Sequence, residues 1–201
     1  MKQLNVFMSL GIALLIISCA GPSRTVTRIQ TDQAMDISGR WNDTDSRLTA
    51  EAMINDLLSR PWINEFRGEN QRRPYVIVGT VRNRSSEHIP VRAFIKDMEK
   101  ELINSGQVFF VASADEREEV RGERMDQQSF SSVETAKELA NEQAADFMLQ
   151  GVITTIVDSF EGRRVVYYQV NLELIDLESN TKIWLGDKKI KKFIEQDKYR
   201  W

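Results

Sequence analysis

The sequence predicts an α/β (α+β) domain built on one mixed sheet of about four or five strands, with about four helices packed on it. Three observations carry this. Apolar residues recur at helical spacing in several windows, short β-rich runs lie between the early ones, and three strands close the chain. The resulting order is α-β-α-β-α-α-β-β-β, an early alternation that ends in a meander.

Each element follows from local pattern. Asn42-Asp43-Thr44-Asp45-Ser46 is dense in residues that cap helix N-termini, and Ala50, Met53, Ile54, Leu57 and Leu58 then repeat on one face. This helix ends before Pro61, and Trp62, Ile63 and Phe66 follow as an apolar tail. Tyr75-Val76-Ile77-Val78-Gly79-Thr80-Val81 reads as a buried strand. A second helix opens at Pro90, carries Val91, Phe94, Ile95, Met98 and Leu102 on one face, and stops before Gly106. Val108 to Val111 is the next strand. Ser113 and Glu116 have capping-box spacing at the start of a charged, solvated helix over Asp115 to Gln128. A further helix is expected from Ser131, capped by Glu134. Strands follow at Phe147 to Val157 and Val165 to Ile175, with Asp158 to Gly162 as the hairpin between them. The last runs from Thr181 to Leu185, with Ile190 to Ile194 as its continuation. In the Val165 strand Val166, Tyr168, Val170, Leu172 and Leu174 alternate with polar residues, which predicts one wet face.

Composition excludes more than it assigns. The 201 residues include 27 Lys and Arg against 30 Asp and Glu, a net charge of −3, which removes the basic footprint of a nucleic-acid binder. One cysteine rules out an internal disulfide or a cysteine-clustered zinc site, and one histidine leaves little for triad or multi-histidine metal chemistry. No glycine-rich phosphate loop, H-E-x-x-H or G-x-S-x-G is present. The expectation is a protein that is not an enzyme and needs no cofactor or metal. His88 reads as a loop residue, and Asp43 and Asp45 as helix caps.

The cysteine stands at an informative place. After Met1-Lys2 comes an apolar run from Val6 to Ile17, the length of a signal-peptide core and short of the roughly 20 residues that span a bilayer. It ends in Ile16-Ile17-Ser18-Cys19-Ala20-Gly21, which resembles a bacterial lipobox in which Cys19 becomes the acylated first residue. Two or more acyl chains give stable anchoring. The expected organisation is a signal peptide over 1–18, a lipid-anchored flexible linker over 19–40 and one globular domain over 41–201. If residues 20–37 are extended they reach roughly 60 Å, and as a coil about 25 Å.

Two charge features are candidates for partner contact. Arg72, Arg82 and Arg84 flank the first strand, and Lys188 and Lys189 belong to a lysine group with Lys191 and Lys192 around Ile190. Arginine beside aromatic residues suits a protein interface. Lysines on a last strand equally suit the protection of a sheet edge.

Longer stretches carry a resemblance. Gly39-Arg40-Trp41-Asn42-Asp43-Thr44-Asp45-Ser46-Arg47, Val81-Arg82-Asn83-Arg84-Ser85, Ile89-Pro90-Val91 and Val111-Ala112-Ser113-Ala114-Asp115-Glu116-Arg117 are among them. Ala145-Asp146-Phe147-Met148-Leu149-Gln150-Gly151, Tyr167-Tyr168-Gln169-Val170-Asn171-Leu172 and Lys182-Ile183-Trp184 complete the set. Together they resemble the LpoB-type penicillin-binding protein activators, whose fold is similar to the N-terminal domain of TolB and the core of CsgG. The resemblance implies an outer-membrane lipoprotein facing the periplasm. It would bind a class A penicillin-binding protein, a bifunctional peptidoglycan synthase, and activate it allosterically as a monomer. The alternative it leaves is a CsgG-like structural or export component of the envelope.

Overall fold

The computed structural model describes residues 25–129 and 144–195. Cys19, the expected signal peptide and the helix expected from Ser131 lie outside the described residues. Residues 25–33 form an exposed stretch with one turn, in a unit apart from the body. The body has helices α1 (Asp43–Leu58), α2 (Trp62–Asn70), α3 (Val91–Asn104) and α4 (Ala114–Ser129). Its strands are β1 (Tyr75–Asn83), β2 (Phe109–Phe110), β3 (Phe147–Phe160), β4 (Arg163–Asp176) and β5 (Lys182–Glu195). They form one mixed sheet in the order β2-β1-β3-β4-β5, with β1 parallel to β2 and β3, and β3, β4 and β5 antiparallel. The expected fold class is the one observed.

One face of the sheet carries the core. Val76 and Val81 of β1, Phe147, Leu149 and Ile153 of β3, and the alternating Val166 to Leu174 series of β4 are buried there. Ala50, Ile54 and Leu57 of α1, with Phe94, Met98 and Leu102 of α3, cover them and are wholly excluded from solvent. On the other face, called outer below, no side chain of β3, β4 or β5 is buried. β4 thus shows the dry and wet faces that its alternation predicts.

Helix α2 and the meander strands β3 and β4 depart from expectation. The apolar tail after Pro61 is a separate helix. Pro61 sits in the helical region and its carbonyl accepts from Asn64 and Glu65, so the proline starts a helix as well as ending the previous one. Trp62 and Phe66 each meet Phe147 edge-on, at 5.0 and 5.3 Å between ring centres. The meander strands are also longer than expected. β3 and β4 pair as far as Phe160 and Arg163 across a two-residue turn, with φ of 45° at Glu161 and 81° at Gly162. Positive φ at both positions matches the strand twist, so pairing continues to the turn itself.

Two of the expected caps form, with Asn42 as the N-cap residue of α1 and Asp43 inside its first turn. Asn42 and Asp45 form a reciprocal capping box on α1, and Ser113 and Glu116 exchange bonds at the start of α4. Asp45 does more. Its Oδ2 accepts from the Lys192 ammonium at 2.5 Å, as does Asp36 Oδ1, and the Arg40 carbonyl accepts at 3.1 Å. Lys192 and Asp45 are each only 9 % exposed at the side chain. Burial works against the lysine's charge, but the bonds to Asp36 and Asp45 outweigh it and hold its pKa above the ordinary value.

Lys192→Met would leave Asp45 a buried carboxylate without its counter-ion, so a loss of about 3 kcal/mol is expected in denaturant unfolding. A second prediction concerns pH. Glu116 is pulled from an ordinary 4.5 to about 2, chiefly by the Lys96 ammonium and next by Ser113. A depressed carboxyl stabilises fully above its unfolded value, and that stability is lost as pH falls through the folded one. The Tm should therefore fall between about pH 4.5 and 2, and Glu116→Gln should flatten that segment of the curve.

Candidate functional site: the outer sheet face and its rims

The polar face of the sheet is built by strand register. Antiparallel partners share a face, so Thr154, Gln169 and Lys189 form one row across β3, β4 and β5, and Val152, Asn171 and Asp187 form the next. Gln150 and Glu173 follow, joined at 2.7 Å, with Lys182 on Glu173 at 2.6 Å. The Lys182 ammonium and the Gln150 amide hold the Glu173 carboxyl below its ordinary range. Gln169 donates to Asn171 and Lys189 to Asp187, at 3.2 and 3.0 Å. The result is a shallow polar groove of about 580 Å³, with Arg82 and Arg84 along one side and Lys189 on the other.

Arg82 reaches that face through an irregularity. β1 pairs Val78 with Leu149 and Val81 with Gly151, three steps against two. Strict alternation after Val76 and Val78 would aim residue 82 into the core. The extra residue puts Val81 inside and Arg82 outside. Among the described residues neither Arg82 nor Arg84 has an ion-pair partner.

The five expected contact residues are therefore not one patch. Arg82, Arg84 and Lys189 share the groove. Lys188 pairs with Val170 and lies on the core side of β5, because successive strand residues point to opposite faces. Arg72 is a clamp between segments. It makes two bonds of 2.7 Å to Asp146, whose Oδ2 also accepts from the Tyr75 backbone. Its guanidinium stacks over Phe66 and Tyr75, at 5.0 and 5.4 Å. The bonds to Asp146 raise its pKa.

A second polar cluster went unnoticed in the sequence. The Tyr168 hydroxyl donates to Glu87 Oε2 at 2.7 Å, the Trp41 backbone N–H donates to the same atom at 3.3 Å, and Arg164 lies 3.6 Å from Oε1. Burial first, and the Glu87 bond second, push the phenol well above its ordinary pKa, so it remains a donor. Trp41 packs edge-on to Tyr168 and Phe94. The only signal for this cluster was the inward phase of Tyr168 on its strand. His88 is exposed in the loop after β1. Among the described residues no group of His, Cys, Asp or Glu side chains could hold a metal ion, and no helix is long and apolar enough to cross a membrane.

Against this geometry, residues 45–190 match the family described as peptidoglycan-synthase activator LpoB. The chain belongs to the LpoB family. The match takes in nearly all of α1, strands β1 to β4, β5 as far as Ile190, and the groove, and it does not favour the export-component alternative. No curated protein sequence matches the chain. Among solved structures, the LpoB C-terminal domain from Salmonella enterica is 14% identical, with 71% of this chain and 98% of that chain covered and a TM-score of 0.36. The NMR structure of Escherichia coli LpoB is 14% identical over 88% and 87%, at a TM-score of 0.41. Lipoprotein GNA1162 from Neisseria meningitidis is 14% identical over 60% and 83%, at 0.37.

The segment Gly39 to Arg47, which begins ahead of the matched residues, is largely structural here. It supplies the cap, the acid that meets Lys192, and Trp41. Gly39 has φ of 67° and lies against Ile194 where a side chain would collide, so only glycine fits. The division of the arginines gives a direct prediction. Arg72→Ala should lower stability by roughly 1 kcal/mol, whereas Arg82→Ala and Arg84→Ala should leave the Tm unchanged in thermal unfolding.

Proposed function

We propose that this chain is a periplasmic lipoprotein, anchored through Cys19 in the outer membrane, that binds a class A penicillin-binding protein and raises its glycosyltransferase and transpeptidase rates. The observation that carries the reading is the match to peptidoglycan-synthase activators over residues 45–190. The lipobox at Ile16 to Gly21 supplies the anchor and the compartment. The expected domain order stands in this proposal as signal peptide 1–18, tether 19–40 and body 41–201, with the body monomeric.

The contact surface of this reading is the groove. Arg82 near the end of β1 and Arg84 just past it are exposed, unpaired cations, and the groove they line also holds Gln150, Gln169 and Asn171, with Glu173 and Asp187 already paired to lysines. A partner offering carboxylates at that spacing would form charge-assisted bonds without displacing an existing ion pair. Lys189, already joined to Asp187, is the weaker contributor, and Lys188 and Arg72 act through the fold. Activation itself is linkage. The domain must bind the active form of the synthase more tightly than the inactive one, and a tenfold stimulation needs about 1.4 kcal/mol of that difference.

The test is polymerisation of lipid II by a class A synthase of the same organism, with and without a Cys19-free chain. Stimulation is expected, and Arg82→Glu with Arg84→Glu should reduce it about tenfold at an unchanged Tm. Absence of binding to every such synthase would overturn the reading. Full stimulation by the double variant would remove the groove from it.

A further inference from the structure

The most exposed apolar surface of the body lies where the chain enters it. Phe160 at the end of β3 is 75% exposed, Phe193 of β5 is 63%, Ile156 is 67%, and Ile37 of the entering segment is 87%. Three of them adjoin, and Ile156 shares the outer sheet face with Phe160 and Phe193. Ile37 and Phe160 line one concavity, and Ile37 and Phe193 line another. Strand register adds Val165 between Asp158 and Phe193, and Tyr167 between Ile156 and Lys191, on the same outer face. Four large apolar side chains this exposed at one end of a sheet form a patch of the kind that marks an interaction site.

The charges around the patch are balanced. Arg163 meets Glu195 at 3.1 Å and Arg164 meets Glu87, which leaves Arg40 and Lys191 beside Asp158 and Glu161. Such a rim neither repels a zwitterionic surface nor selects a strongly charged partner. What identifies the occupant is the tether. Asp36 is fixed to Lys192, and Gly39 is seated on Ile194, so the chain leaves the body beside the patch. Sixteen residues, 20–35, separate that point from Cys19. They reach about 55 Å fully extended and about 22 Å on average as a coil.

We infer that this end of the body, Ile37 with the β3–β4 hairpin tip and Phe193, docks onto the phospholipid surface to which the chain is tethered. The inference rests on Cys19 as the lipid attachment site. Aromatic and branched apolar side chains insert at the headgroup boundary, while Arg40 and Lys191 stay at phosphate depth. A short tether holds the patch at high effective concentration over the bilayer, so a contact too weak to bind free chain becomes persistent. The sheet then stands away from the membrane. Eight strand residues separate Phe160 from Val152, which puts the Arg82 groove about 26 Å from the docked tip.

The experiment uses the full mature chain, lipidated at Cys19, in vesicles of phosphatidylethanolamine and phosphatidylglycerol at 3:1. An environment-sensitive fluorophore is placed at Glu161→Cys in the hairpin turn, or at Glu178→Cys at the opposite end of the sheet. A blue shift at 161 and none at 178 is expected. Phe160→Asp with Phe193→Asp should abolish the shift while the lipid still holds the chain on the vesicle. Ile37→Asp, outside every helix and strand, should weaken it several-fold with no effect on folding. A probe at 161 that stays as wet as that at 178 overturns the docking. So does one that becomes buried only when a synthase is added. Lipid on Cys19 is read separately, by mass, and a chain without lipid overturns the tether instead.

Discussion

A lysine held inside the domain organises the structure around it. Lys192 lies on an edge strand yet points to the core side, where it meets Asp45 in the first turn of α1 and Asp36 in the entering chain. Removing charges from water is costly, and the cost is met only if the partners stay at bonding distance. The cluster therefore fixes three things together: the seat of α1 on the sheet, the register of β5 beneath it, and the point where the chain leaves the body. Trp184, which donates to Asp56 at 2.8 Å, fastens the other end of α1 to the same strand.

What the scaffold presents to other molecules is its exposed surface. Among the described residues the titratable groups with shifted pKa values are engaged in ion pairs, in the Trp184–Asp56 bond or in the Glu87–Tyr168 bond, and so serve to hold the scaffold together. What the body offers to others is surface: a polar groove with two unpaired guanidiniums, and an apolar rim at the far end of the same sheet. A regulator of a synthase needs only such surfaces, because it acts through a difference in binding free energy.

Much of the architecture was legible because it rests on local chemistry. The capping residues before α1 and α4, the 3.6-residue spacing in α3 and the alternation in β4 each name an element and its buried face. The α2 helix was missed because nine residues with few apolar positions give little periodicity, and its stability comes from Trp62 and Phe66 against Phe147. The extra length of β3 and β4 was missed because Asp158 to Gly162 reads as a loop until the two-residue turn is seen to carry the pairing through. Arg72, Arg82 and Arg84 read alike as candidate contact residues, because Asp146, the partner that takes Arg72 out of that group, is 74 positions away from it.

By itself the sequence determined the fold class, the family and the caps of α1 and α4, because these depend on neighbouring residues or on order along the chain. The tertiary structure decided which charges are spent and which remain free. It took a bulge in β1 to turn Arg82 outward, a strand pleat to part Lys188 from Lys189, and a fold to bring Asp36, Asp45 and Lys192 together. Those outcomes depend on contacts between residues far apart in sequence, and only the assembled sheet brings them into contact.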